Sequence, residues 1–288
     1  MIEVSVVVPT LGRLSQLEDC LKGMSKQTYS NTEILIVHND KGLDSTKALA
    51  SSYGAKYIRG LEQGAVDAYN TGVRNASGKI IAFTDDDAIP DLNWVEILAS
   101  SYGTGIGGVG GAVQPSHPVR YSTRVSKIGR KTGWTDLPNR IIEVDHLRGA
   151  NMSFTREAME KTGLFDPNYV ADGYAFETDY CVRMKRKGFK ILFNPAARVF
   201  HNESPIRSVP RSHSFKGAYY HSRNFRYFTL KNFMGGKNTI FVAKDIVSRD
   251  SKLLWRMMGK RDPRSVFAFL GSFGGSFCYI TGRQKKYS

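Results

Sequence analysis

Residues 79–91 read KIIAFTDDDAIPD. A β-branched apolar run ends at Phe83, and Asp85, Asp86 and Asp87 follow almost at once. The run has the length and composition of a buried strand. Three carboxylates this close repel one another, and each raises the pKa of the others. An Asp-rich turn is the plainer reading, since Asp and Asn populate turns. A buried strand leading straight into the cluster favours a bound cation instead. Hard carboxylate oxygens suit Mg²⁺ or Mn²⁺, and such an ion would in turn bind a diphosphate.

On either side, strand and helix patterns alternate. EVSVVVP (3–9) reads as a buried strand, and Leu14, Leu17, Leu21 and Met24 follow at helical spacing. Ser15 and Glu18 are placed for a capping box on that helix. EILIV (33–37) is a second strand, Asp44 would cap a short helix, and KYI (56–58) is a third strand. Gly64 to Ala76 is Ala-rich and helix-like, and LNWVEILASSY (92–102) carries Leu92, Val95 and Leu98 on one helical face. This alternation predicts an α/β fold: a parallel sheet covered by helices, with ligands at the carboxyl ends of its strands. The aspartates stand at such an end. GIGGVGGAVQP (105–115) is a glycine-rich strand, and residues 116–147 read as a long irregular loop. ANMSF (150–154) is strand-like, and TREAMEKTG (155–163) is a short helix capped by Thr155 and stopped by Gly163. FETDYCVRMKRKG (176–188) is a helix ending at Gly188, and FKILFNP (189–195) is a strand.

The 288 residues carry a net charge of +15, unevenly spread. From Arg198 onward there are eighteen Lys and Arg against four Asp and Glu, so the first two-thirds is nearly neutral. Such asymmetry points to an anionic partner. RSHSFKGAYYHSRNFRYFTLKNF (211–233) interleaves cations with aromatics. It fits a membrane surface or lipid-linked acceptor, an ordinary packed helix, or a nucleic-acid surface; the first is preferred. Val242, Ile246 and Val247 share a helical face, as do Leu253, Leu254, Met257 and Met258. Eighteen uncharged residues lie between Arg264 and Arg283, the low edge of a spanning length. Four glycines and three serines among them favour an interfacial or packed helix. Cys20, Cys181 and Cys278 fit no disulfide or metal spacing and are expected as reduced thiols in a cytoplasmic setting. MIEVSVVVPT lacks the basic region and cleavage site of a secretory signal.

Six stretches carry a family resemblance: VSVVVPTLGR, EILIVHND, GAVDAYNTGVRNASGKIIAFTDDDAIPDLNWVE, GGAVQP, LRGANMSFTREAMEKTGLFDPNY and FETDYCVRMKRKGFKILFNPAARVFH. In this order and spacing, over residues 3–201, the chain resembles the family 2 glycosyltransferases, inverting enzymes with a GT-A fold. The resemblance implies an α/β fold with a Rossmann-like, mixed, mainly parallel sheet covered by helices. It implies a catalytic domain over residues 1–201 and a basic, aromatic, helical extension over 202–288 facing acceptor or membrane.

Site roles follow from the same resemblance. Asp87 matches the principal metal ligand, with Asp85 and Asp86 facing the metal shell and the ribose or donor sugar. His201 matches a position that completes the metal shell in several members. Pro9, Thr10 and Arg13 belong to the first nucleotide-contacting loop. His38 stands where the family often has the base-reading aspartate, so Asp40 is the alternative. Tyr69 stands where an arginine is common, and Gln63 is a further donor contact. Glu177 matches the catalytic base, with Asp179 as runner-up. Gly149 and Asn151 line the acceptor side, and Gly111 is expected to let the backbone approach the sugar. The implied activity is transfer of a hexose-type sugar from a UDP-, GDP- or dTDP-sugar, with Mn²⁺ or Mg²⁺. The acceptor is a lipid-linked or cell-surface glycan precursor. The enzyme is expected to be cytoplasmic and monotopic on the inner face of the cell membrane, with homo-oligomers possible and nucleic acid not a partner. A sugar-1-phosphate nucleotidyltransferase would need a glycine-rich pyrophosphate loop after the first strand, where PTLGR has one glycine and one arginine. A nucleic-acid-binding protein would leave Asp85–Asp87 and Glu177 unexplained.

Overall fold

The computed structural model of the chain describes residues 3–39, 45–61, 64–114, 121–201, 214–260 and 262–282. The first half alternates as the pattern predicts: β1 (Val4–Thr10), α1 (Leu14–Met24), β2 (Thr32–His38), α2 (Ser45–Ser52), β3 (Lys56–Arg59), α3 (Ala65–Asn75), β4 (Ile80–Phe83), β5 (Ala88–Pro90) and α4 (Trp94–Ser100). Then come β6 (Ile106–Gln114), β7 (Tyr121–Val125), β8 (Lys131–Thr135), β9 (Ile142–Glu143), β10 (Met152–Thr155), α5 (Arg156–Thr162), α6 (Phe176–Arg186) and β11 (Lys190–His201). Three helices close the described chain: α7 (Phe215–Phe233), α8 (Thr239–Met258) and α9 (Pro263–Thr281).

The main sheet has the order β3-β2-β1-β4-β10-β6-β11-β5, with β9 also paired to β11. β1, β2, β3 and β4 pair in parallel, as do β6 and β11. β10 is antiparallel to both its neighbours. The result is a mixed, mainly parallel sheet. Strand alternation sends Val4, Val6 and Val8 to one face, against Leu17, Leu21 and Trp94. Val7 turns to the other face, into a cluster with Val66, Tyr69, Phe165, Phe176 and Tyr180. Burial on both faces is what makes these strands near-continuously apolar.

Several local expectations are corrected. The capping box on α1 does not form: Arg13 occupies the N-cap position and no side chain bonds there. Its guanidinium is directed instead at the aspartates after β4. The predicted loop 116–147 contains the β7–β8 hairpin and β9 over its described part. The hairpin turns at Gly129, whose φ of 79° favours glycine. β11 continues beyond Pro195 to His201, with a register shift between Asn194 and Arg198. Gly111 serves that irregularity, since a Cβ there would lie 1.8 Å from the Ala197 carbonyl oxygen. The glycine admits the neighbouring strand at close range. Thr155 does cap α5, accepting from Ala158 N at 3.2 Å, and Gly163 ends it at φ 82°. Asp44 lies outside the described residues.

The uncharged stretch before Arg283 is helix α9, and among the described residues no helix is long and apolar enough to cross a membrane. Its glycines are packing devices. A Cβ on Gly271 would lie 2.1 Å from Tyr219 O, and one on Gly275 would lie 2.3 Å from Arg223 O. α9 therefore lies almost backbone to backbone on α7. Tyr227 and Phe228 of α7 and Cys278 of α9 belong to the same apolar cluster as Phe165 and Phe176. All three cysteines are free and buried.

Candidate active site

Parallel pairing of β1 with β4 places the loop after Thr10 beside the loop after Phe83. Thr10 Oγ1 donates to Asp86 Oδ2 at 2.6 Å and accepts from Gly12 N at 3.1 Å. Arg13 bridges two aspartates: Nη1 reaches Asp87 Oδ2 at 3.1 Å, while Nε and Nη2 hold Asp86. Asp86 is buried, and desolvation pushes its pKa up to about 6 although Arg13 and Thr10 oppose the rise. Pro9 lies within β1, half-buried and paired with Val37.

The antiparallel pairing of β5 with β11 sets His201 opposite Ala88 and so beside the aspartates. His201 Nε2 lies 3.0 Å from Asp87 and 3.4 Å from Asp85. Burial disfavours its charged form, but the two carboxylates outweigh burial and push its pKa up to about 10. One ligand atom each from Asp85, Asp87 and His201 lie within 4.8 Å of one another. Two hard oxygens and an imidazole nitrogen so close fit a divalent cation of the Mn²⁺ or Mg²⁺ type. Tyr69 Oη donates to Asp85 at 3.3 Å, and a Cβ on Gly149 would lie 3.1 Å from that hydroxyl. Gly149 thus borders the same site.

Glu177 stands in the first turn of α6 with a side chain 16 % exposed. Burial raises its pKa; Lys131, 3.9 Å away, opposes the rise, and the charges of Asp172 and Asp85 add to it. The residue is delivered by a tight approach: Ala171 and Ala175 both have positive φ, 58° and 73°. Such strain in non-glycine residues gathers at functional sites. Asp179, two residues on, is fully buried and fully engaged. Arg183 Nε donates to it at 3.0 Å, Lys231 Nζ at 2.8 Å and Asn232 Nδ2 at 2.6 Å. It ties α6 to α7 and does not share the surroundings of Glu177.

Asn151 is likewise consumed by structure. Its Oδ1 accepts from Trp94 Nε1, and its Nδ2 donates to the carbonyls of Ala112 and Ala197, all at 2.9 Å. Asp40 and Gln63 lie outside the described residues. His38 is buried at the end of β2, with Nδ1 3.1 Å from the Tyr57 hydroxyl. Sequence reasoning missed Lys131, because it sits in the stretch read as irregular, and Tyr174 and His221. The Tyr174 and His221 rings lie with centroids 3.4 Å apart, joining the Glu177 side of the site to α7.

Residues 5–163 match the glycosyl transferase family 2 profile. Glycosyltransferase AglE of Haloferax volcanii is 31% identical over 199 residues, covering 66% of this chain and 64% of that protein. The chain thus matches just under two-thirds of that relative's length. The glucosyl-dolichyl phosphate glucuronosyltransferase of the same organism is 26% identical over 220 residues, 69% of either chain. Among solved structures, the mannosyltransferase PcManGT from Pyrobaculum calidifontis, in complex with GDP-Man and Mn²⁺, superposes with a TM-score of 0.58 at 16% identity. That match covers 98% of this chain and 88% of the other, a likeness of fold.

Proposed function

This chain belongs to glycosyl transferase family 2, and we propose that it moves a sugar from a nucleoside-diphosphate donor to a hydroxyl of a lipid-linked acceptor, inverting the anomeric centre. The observation that carries the reading is the presence of two acidic centres with different surroundings. Asp85 and Asp87 meet His201 in a cluster of ion-binding size, while Glu177 stands apart with a pKa raised by burial. The first suits a donor diphosphate, the second a proton acceptor. A divalent ion on the first centre, Mn²⁺ or Mg²⁺, would supply positive charge against the departing diphosphate.

This chain's own residues do the rest. Thr10 and Arg13 orient Asp86 and Asp87 and, at the carboxyl end of β1, stand where a nucleotide would be held. The Glu177 carboxylate takes the proton from the acceptor hydroxyl. That oxygen forms a bond to the anomeric carbon, whose bond to the diphosphate oxygen breaks with its electron pair leaving on the diphosphate. Attack from the face opposite the leaving group inverts the centre. Lys131 opposes the rise that burial imposes on the pKa of the base.

A lipid-linked acceptor is supported by the C-terminal helices. Leu270, Phe273, Phe277 and Ile280 recur at helical spacing on α9, and all four are exposed. Trp255 and Met258 of α8 are exposed too. Lys244, Arg249, Lys252 and Arg256 lie on α8, and cations next to exposed apolar side chains suit the interface of an anionic membrane. The test of the chemistry is Glu177→Gln. Turnover should fall by roughly 10²–10⁴-fold, with nucleotide-sugar affinity unchanged. Wild-type turnover in that variant would remove Glu177 from the role.

A further inference from the structure

A second cavity lies outside the reaction site, among α7, α8 and α9, with a volume of about 460 Å³. Five cationic side chains line it: Arg226 of α7, Arg249, Lys252 and Arg256 of α8, and Arg264 of α9. Among the described residues Asp262 is the one carboxylate in that lining. Three of the cations are partly neutralised: Arg226 by Asp250, Arg249 by Asp245 and Arg264 by Asp262. Asp245 is shared with Arg130. Among the described residues no carboxylate pairs with Lys252 or Arg256, so the cavity keeps a positive excess.

Two further features mark it as built for an anion. The Arg226 side chain is only 7% exposed, an unusual depth for a guanidinium in a wall. Arg249 meets Asp245 Oδ2 through Nη2, but its buried Nε has no hydrogen-bond acceptor among the described residues, and Asp245 Oδ2 likewise has no hydrogen-bond donor there. A buried donor left over in this way is unfavourable unless something else supplies the acceptor. Phosphate oxygens are such acceptors, and guanidinium forks match them in pairs. Phe225, Leu253 and Ala268 complete the lining with apolar surface.

The position matters as much as the charge. His221 lines the cavity and lies ring to ring with Tyr174. The Tyr174 ring lies 5.9 Å from Lys131 Nζ, which lies 3.9 Å from Glu177. His221, Tyr174 and Lys131 thus lead in succession from the cavity wall to Glu177.

We propose that this cavity binds the phosphate or diphosphate ester of an isoprenoid-linked acceptor. The prenyl chain then lies along exposed apolar side chains of α9, and the sugar reaches past Tyr174 toward Glu177. This rests on the glycosyl-transfer reading for its purpose, but not for its measurement. A membrane phospholipid headgroup offers the same phosphate chemistry, so the experiment separates the two.

The test uses the full chain in nonionic detergent, with farnesyl diphosphate as probe, farnesol as its uncharged control and inorganic pyrophosphate as competitor. Wild type should bind farnesyl diphosphate, ignore farnesol and release the probe to pyrophosphate. The variant Lys252→Ala/Arg256→Ala removes two exposed cations and should fold normally. It should bind the probe at least about tenfold more weakly, the scale of one lost charged hydrogen bond. Its affinity for nucleotide sugar with Mn²⁺ should stay at the wild-type value. Unchanged probe affinity in the variant overturns the assignment. So does farnesol binding as tightly as its diphosphate. If the variant loses affinity for phosphatidylglycerol nanodiscs and farnesyl diphosphate does not compete, the cations serve a membrane headgroup and the assignment also falls. Absence of nucleotide-sugar binding in wild type would instead overturn the glycosyl-transfer reading, leaving the probe measurement intact.

Discussion

At the scale of single residues, three clustered aspartates raise the question of what balances them. Two internal cations do so. Arg13 holds Asp86 and Asp87, and His201 bridges Asp85 and Asp87. The pKa of His201 at about 10 means that the metal-free protein carries an imidazolium there at neutral pH. A metal ion needs the neutral ring, so binding must expel that proton. Titrating Mn²⁺ at pH 8 in buffers of different ionisation enthalpy should reveal about one proton released per ion, and affinity should rise roughly tenfold per pH unit from 7 to 9. His201→Gln should bind more weakly without that proton. A pH-independent affinity in wild type would remove His201 from the ligand set. The raised pKa also acts on stability. The contribution is fully present below the ordinary imidazole value near 6.5 and is lost as pH climbs through about 10. The acidic cluster and His201 were legible as motif positions. Arg13 as an internal counter-ion was not, because only the β1–β4 pairing brings it across 73 residues to Asp86.

At the scale of elements, the strands were the most legible parts, since burial on both faces writes itself as β-branched runs. The β7–β8 hairpin was not, because YSTRV and KTGWT lack apolar alternation and are only half-buried. With the hairpin went Lys131, and with Lys131 the charge that faces Glu177. The glycines of α9 were visible but open to more than one reading. Their sequence meaning was low apolarity; their structural meaning is contact with the α7 backbone at Tyr219 and Arg223. Replacing Gly275 by Val should therefore drive α9 away from α7 and destabilise the fold by about 1–3 kcal/mol, the usual scale of overpacking. Gly103, whose Cβ would meet only Ile106 Cδ1 at 3.8 Å, is the control and should tolerate Ala far better. Thermal denaturation of the two variants tests this; equal midpoints would mean that the two helices do not meet as closely as described.

At the scale of the whole molecule, the basic segment reads in sequence as an appendage, yet it shares a hydrophobic core with the chain before it. Asp179 is the joint. It is fully buried in α6, and two of its three partners, Lys231 and Asn232, come from α7. Lys231 also bonds Asp166 at 2.6 Å. Asp179 keeps Arg183 and Asn232 when Lys231 is removed, so the loss is that of one charge-assisted hydrogen bond to a buried carboxylate, typically about 1.5–3 kcal/mol. Lys231→Met should thus destabilise the entire chain on that scale, although the lysine lies far along the sequence from the aspartate motif. Because the joint also fixes α6, and Glu177 sits on the first turn of α6, the loss should reach catalysis as well. Turnover in Lys231→Met should fall while nucleotide-sugar affinity holds, since Asp85, Asp87 and His201 are positioned by the β5–β11 pairing, Arg13 and Tyr69. Ending the chain after His201 should give insoluble protein, because Tyr227, Phe228 and Cys278 would leave the core cluster unfilled. A soluble, folded fragment over 1–201 would show instead that the two segments are independent, and that the acidic joint at Asp179 is a surface contact of little weight.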